Sequence, residues 1–150
     1  MSTFAVHRLS GIVTPANAMY SAAELEHQLR SSGSKALFTC TPLLETALKA
    51  AKANNIPEDK VFLLDLPGHP RDSRFRTIDD LIAEGRSLPE LEPLRWTKGQ
   101  GARQVAYLCY SSGTSGLPVS LRLSYCTIST HAPFYLWDAY LLRSECVDDS

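Results

Sequence analysis

The chain has 150 residues, of which 44% are hydrophobic and 21% charged, and its net charge is −1. That length and balance fit one globular domain and exclude a disordered or fibrous chain. A near-neutral chain lacks the basic surplus with which nucleic-acid binders neutralise phosphates, and no apolar run approaches the ~18 residues of a membrane span.

In chain order, Gly11-Ile12-Val13-Thr14-Pro15 reads as a short strand ending at a Pro-Ala-Asn turn. Ser21-Ala22-Ala23-Glu24 is a capping box: the Ser21 hydroxyl can accept from the Glu24 amide while the Glu24 carboxylate reaches back. The helix after it carries Ala22, Leu25 and Leu29 on one side, and Gly33 is placed to end it. Lys35 to Cys40 is an apolar strand. Thr41-Pro42 then supplies an N-cap and a first-turn proline for a helix through Leu43, Leu44, Ala47, Leu48 and Ala51 to about Ala53. Asn54-Asn55 stops that helix, and Lys60 to Leu66 is the third strand. The alternation is β-α-β-α-β, so the expected fold class is α/β, a parallel sheet with flanking helices.

From Pro67 to Lys98 the chain is looser and charged. Thr77-Ile78-Asp79-Asp80 caps a short helix, Ile78 to Glu84, ended by Gly85. Gln104 to Tyr110 is a fourth strand. Arg71, Arg74 and Arg76 form a basic cluster, open either to a phosphate or CoA contact or to plain solvation.

The cysteines, Cys40, Cys109, Cys126 and Cys146, are separated by 69, 17 and 20 residues and make no C-x-x-C pair. With no apolar leader in residues 1–10, they are expected as reduced thiols in a cytoplasmic setting. Cys40 and Cys109 lie in apolar runs, where a free cysteine behaves as a small hydrophobe. The histidines His7, His27, His69 and His131 show no metal-binding spacing.

Directly after the fourth strand comes Ser111-Ser112-Gly113-Thr114-Ser115-Gly116-Leu117-Pro118. Glycines let the backbone turn and approach a ligand, successive amides can cradle an anion, and hydroxyls add donors. This is phosphate-holding chemistry, although it is not the G-x-x-x-x-G-K-[ST] loop, and a solvated Ser/Gly linker has the same composition.

The stretch Tyr110–Pro118 resembles the phosphate loop of the adenylate-forming (AMP-binding) superfamily, which holds acyl-CoA synthetases and coumarate–CoA ligases. Residues 11–25, GIVTPANAMYSAAEL, followed by His27-Gln28-Leu29 and Ser32-Gly33-Ser34-Lys35-Ala36, resemble an earlier part of the same family. The resemblance covers residues 5–118 and implies part of the family's N-terminal domain. It implies Ser111, Ser112, Gly113, Thr114, Ser115 and Gly116 as contacts to the phosphates of ATP, with Thr114 and Ser115 the main hydroxyl donors, and no catalytic or metal-ligating residue. By resemblance, ATP with Mg²⁺ activates a carboxylic acid to an acyl-adenylate, which passes to CoA as a thioester.

The family's loop continues after Pro118 with Lys-Gly, where this chain has Val119-Ser120. Residues 119–150 hold no glycine and no lysine, and are aromatic-rich at Tyr125, Phe134, Tyr135, Trp137 and Tyr140. They are read as an unmatched tail, from a reading-frame change, a retained intron or a divergent helix. The family's adenine- and ribose-binding segments and C-terminal catalytic lysine are not among the 150 residues. The expectation is therefore a ligase-like but inactive fragment of an acid–CoA ligase. The alternatives are a non-catalytic nucleotide-binding or regulatory module that pairs with a full-length ligase through an open sheet edge, and a pseudogene product.

Overall fold

A computed structural model describes residues 2–111 and 119–127. They fall into two compact units, Ala16–Leu91 and a second built from Met1–Pro15 with Glu92–Ser150.

In the unit Ala16–Leu91, α2 (Ala22–Ser32) starts on the reciprocal capping box of Ser21 and Glu24 and ends on Gly33. Gly33 takes φ +65°, a left-handed conformation that costs glycine little. β1 (Leu37–Cys40) follows and pairs in parallel with β2 (Val61–Leu64), Leu37 opposite Val61 and Cys40 opposite Leu64. Between them α3 (Leu44–Ala53) forms the right-length crossover. Thr41 does not cap it: Pro42 belongs to a separate 3₁₀ turn, Thr41–Leu43, and α3 begins after Leu43 without a side-chain cap. The far end is better secured. Asn54 Nδ2 donates to the carbonyls of Ala50, at 2.9 Å, and of Glu26, at 3.1 Å, which ties the end of α3 to α2.

Leu25, Leu29, Leu44, Ala50, Ala51, Ile56, Val61, Leu63 and Phe75 form one buried cluster. The two helices and one face of the parallel pair meet there, because the 3.6-residue period of α2 and α3 and the two-residue period of β2 present their apolar members to it. Past β2, the Leu63 amide donates to the Arg76 carbonyl at 2.9 Å, and Leu63 bridges Thr77 in parallel. Thr77 is fully buried and caps α4 (Ile78–Gly85). Its backbone N–H, the nearby Arg71 guanidinium and its own hydroxyl all donate to Asp80, and they draw the Asp80 carboxyl down to about 2.

In the other unit, α1 (Ser2–Arg8) closes with the Gly11 amide donating to the Val6 carbonyl at 2.9 Å. A Cβ at Gly11 would stand 2.6 Å from the Val6 side chain and 2.9 Å from its carbonyl oxygen, so the turn admits only glycine without a shift. The segment Gly11–Pro15 contributes one bridge rather than a full strand. The Val13 amide donates to the Ala106 carbonyl and the Leu108 amide to the Val13 carbonyl, each at 2.9 Å. After α5 (Gln100–Arg103), β3 (Val105–Ser111) runs parallel to Val13 on one side and antiparallel to β4 (Val119–Ser124) on the other. β4 lies beyond Pro118, where sequence reading expects no strand. The arrangement is α/β, with a parallel pair flanked by helices in one unit and an antiparallel hairpin in the other.

Candidate functional site

The hydroxyl- and glycine-rich run sits where β3 hands over to β4. Ser111 is the last residue of β3 and pairs with Val119, the first of β4; Tyr110 pairs with Ser120 and Cys109 with Leu121. Ser112, Gly113, Thr114, Ser115 and Gly116 lie outside the described residues. What the structure supplies is their mounting. Directly opposed residues of an antiparallel pair lie about 4.5–5.5 Å apart at Cα, so both ends of the run are fixed on neighbouring strands. β3 is held on both sides, and Ala106 within it is fully buried.

At the other end of the hairpin, four rings join the N-terminal helix, β3, the residue that follows β4 and Trp96. His7 meets Tyr107 edge-on with centroids 4.8 Å apart and Tyr125 at 5.0 Å, and Trp96 meets Tyr125 at 4.7 Å. The Tyr125 hydroxyl donates to the Gly11 carbonyl at 3.2 Å and to the His7 carbonyl at 3.4 Å. His7 Nε2 lies 3.1 Å from the Ala106 carbonyl. Sequence reading does not find this cluster, because its members are separated by up to 118 residues.

Burial pushes the His7 imidazole below its ordinary value of 6.5, with the Ala106 carbonyl opposing the shift in part. The unfolded chain therefore binds the proton more readily than the fold does. His7's stabilisation is complete above pH 6.5 and is lost as the pH falls toward the lowered folded value. Urea midpoints measured from pH 7.5 down to 5 should fall, and His7→Phe should flatten that part of the curve. An unchanged slope in His7→Phe would exclude this origin.

The arginine cluster resolves into ion pairs. Arg71 bonds Asp80, Arg74 reaches Asp72 at 2.7 Å, and Arg76 reaches Glu84 at 3.3 Å while lying over the Phe62 ring at 5.2 Å. Each guanidinium is met by a carboxylate of its own unit, which leaves little net positive field for an external phosphate. Cys40, Cys109 and Cys126 form no disulfide among the described residues. Among the described residues no helix is long and apolar enough to cross a membrane, and no cluster of His, Cys, Asp or Glu could hold a metal ion.

The described residues form an α/β scaffold, and in the sequence the Ser/Thr/Gly run falls between the paired ends of β3 and β4. The family model for AMP-binding enzymes matches residues 1–124, and the chain belongs to that family. The matched region includes β4. Over 124 residues the chain is 44% identical to the acyl-CoA ligase AKT1 of Alternaria alternata, which covers 81% of this chain and 21% of that protein. Over 120 residues it is 42% identical to the acyl-CoA ligase cm3C of Cordyceps militaris, covering 75% of this chain and 19% of that one. The chain thus spans about a fifth of the length of these curated relatives. Among solved structures, the anthranilate CoA ligase AuaEII in complex with anthranoyl-AMP superposes with a TM-score of 0.67 at 20% identity, over 93% of this chain and 24% of that one. A red-emitting luciferase of Phrixothrix hirtus gives the same TM-score and identity over 85% of this chain and 30% of that one. At that identity the two structures speak to the fold.

Proposed function

We propose that this chain carries the ATP-phosphate-binding part of an acid–CoA ligase. In that reaction a carboxylate attacks the α-phosphorus of ATP, the bond to pyrophosphate breaks, and an acyl-adenylate forms; the thiol of CoA then displaces AMP. Ser111, Ser112, Gly113, Thr114, Ser115 and Gly116 would hold the β- and γ-phosphates through hydroxyls and backbone amides. Mg²⁺ would arrive on the ATP itself, as it commonly does on nucleotide phosphates. The observation that carries this reading is the β3–β4 pair: it fixes both ends of a run whose donors suit a polyphosphate. Positioning of this kind is most of what an enzyme contributes to phosphoryl and adenylyl chemistry.

The acyl substrate is a carboxylic acid, by relation to the acyl-CoA ligases. The proposed setting is the cytoplasm, in keeping with Cys40, Cys109 and Cys126 forming no disulfide among the described residues. Alone, the 150 residues are proposed to bind ATP without completing adenylation, because catalytic groups act as a unit and most of the set is not among them. The outer edge of β4, to which no strand pairs among the described residues, is the proposed contact for a protein partner.

ATP–pyrophosphate exchange with a panel of carboxylic acids, run beside ATP-dependent thermal stabilisation, tests the reading. Stabilisation by ATP, lost in Ser115→Ala, without exchange is the expected result. Exchange above a Ser115→Ala, Gly116→Ala control would place adenylation in this chain itself. Neither exchange nor stabilisation would overturn the assignment.

A further inference from the structure

The connection between β2 and α4 contains a tight turn. The Phe75 amide donates to the Asp72 carbonyl at 3.2 Å, so Ser73 and Arg74 form the tip. Aspartate suits the first position of such a turn because its carboxylate can accept from the backbone two residues on. Here Asp72 Oδ1 accepts the Arg74 amide at 3.1 Å. Phe75, 4% exposed, anchors the turn in the core cluster of its unit. Ser73 itself is exposed, and its hydroxyl makes no hydrogen bond among the described residues. The hydroxyls of Ser21, Thr77 and Ser87, in contrast, donate to Glu24, to Asp80 and to the Glu84 carbonyl. Asp65 to Arg71 are also exposed and lie outside any helix or strand, so an enzyme can grip the chain ahead of Ser73.

Arg71, Arg74 and Arg76 all lie within three residues of Ser73. Their partners Asp80, Asp72 and Glu84 hold them in solvent-exposed ion pairs. Pairs of that kind are weak and exchange readily. A free phosphate gains little at this cluster, because the carboxylates oppose it. A phosphate bonded to Ser73 needs no capture: the tether keeps its local concentration high. Its dianion, with three acceptor oxygens, also competes for a guanidinium better than one carboxylate does.

We propose that Ser73 is a phosphorylation site for an arginine-directed protein kinase, and that its phosphate takes the Arg74 guanidinium from Asp72. In the transfer, Ser73 Oγ attacks the γ-phosphorus of ATP held by the kinase. The Oγ–P bond forms, the bond to the leaving ADP breaks, and the hydroxyl proton passes to a carboxylate base of the kinase. The product places a charge of about −1.5 to −2 on the turn, which makes the β2–α4 connection a charge switch. This inference is independent of the Ser/Thr/Gly run.

The test is incubation of the chain with MgATP and the catalytic subunit of an arginine-directed serine kinase. Mass spectrometry maps the phosphate, and phosphorus NMR titrates the product. Phosphate at Ser73 is expected, with incorporation lost in Ser73→Ala and about tenfold slower in Arg71→Gln, which lacks the charge that the kinase reads. The phosphoserine should titrate below its ordinary value of about 6, and its titration should move up in Arg74→Gln and in concentrated urea. Asp65 and Asp79 stand near Arg71, and Glu58 near Arg74. These carboxylates are common to the parent and to Arg74→Gln, so the difference between the two reports Arg74. Circular dichroism confirms that each variant is folded. No phosphate at Ser73 in the folded chain, or equal incorporation in Ser73→Ala, would overturn the site. A phosphoserine that titrates alike in the parent and in Arg74→Gln would overturn the exchange of partners.

Discussion

Leu63→Ala should destabilise the chain by about 3 kcal/mol, within the 2–5 kcal/mol usual for emptying a core leucine site. Leu63 is only 1% exposed and lies at the centre of the cluster that joins α2, α3 and β2. It also stands in the register on both sides, opposite Thr39 in β1 and bridged to Thr77. The surroundings are therefore fixed by backbone hydrogen bonds and cannot close readily over the cavity, which places the cost above that of a surface leucine. Leu88, 67% exposed, provides the contrast: Leu88→Ala should change stability by no more than about 0.5 kcal/mol. Urea unfolding followed by far-ultraviolet circular dichroism measures both. Equal midpoints for the two variants would show that the cluster is not the core of this unit.

Tyr125→Ala should cost a similar amount, about 3 kcal/mol, for a different reason. The ring is 6% exposed, packs edge-on against His7 and Trp96, and its hydroxyl reaches two backbone carbonyls of the N-terminal segment. Truncation removes the ring contacts and leaves those carbonyls to find other donors. Tyr125→Phe separates the two effects: it keeps the rings together and removes only the hydroxyl, so about 1 kcal/mol is expected. Because Tyr125 directly follows the last residue of β4, Tyr125→Ala should also loosen the β3–β4 hairpin. Amide hydrogen exchange along β3 and β4 should accelerate in Tyr125→Ala and stay near the parent rates in Tyr125→Phe. Unchanged exchange in both would show that the ring cluster does not hold the hairpin.

The elements that sequence reading anticipates are those decided by local chemistry. Ser21 with Glu24, Thr77 with Asp80, and Gly33 each act within a few residues, and each appears with the expected geometry. Thr41-Pro42 has the same local signature and a different outcome. The proline ring favours a helical start, but here the 3₁₀ turn takes it, and α3 begins one step later. Gly11–Pro15 reads as a strand by composition, yet it joins β3 by an isolated bridge at Val13, some 90 residues away in sequence, a pairing that no local pattern encodes. β4 did leave a local trace. Val119, Leu121 and Leu123 alternate with Ser120, Arg122 and Ser124, the period of a half-buried strand. A six-residue alternation is short, and the loss of Lys-Gly at the same place draws attention to composition instead. The Ser/Thr/Gly run of residues 111–116 is legible as a donor set. The contacts of Val13, Tyr107 and Tyr125 that hold β3, the strand before it, join distant segments.

The claim that matters most is that the Ser/Thr/Gly run between β3 and β4 holds the phosphates of ATP. Equilibrium dialysis of the 150-residue chain with ATP, in competition with pyrophosphate, measures it directly. Saturable ATP binding that pyrophosphate displaces, weakened about tenfold or more in a Thr114→Ala, Ser115→Ala double variant whose unfolding midpoint is unchanged, is the predicted result. ATP binding of equal strength in the double variant, or none in the unaltered chain, would contradict it.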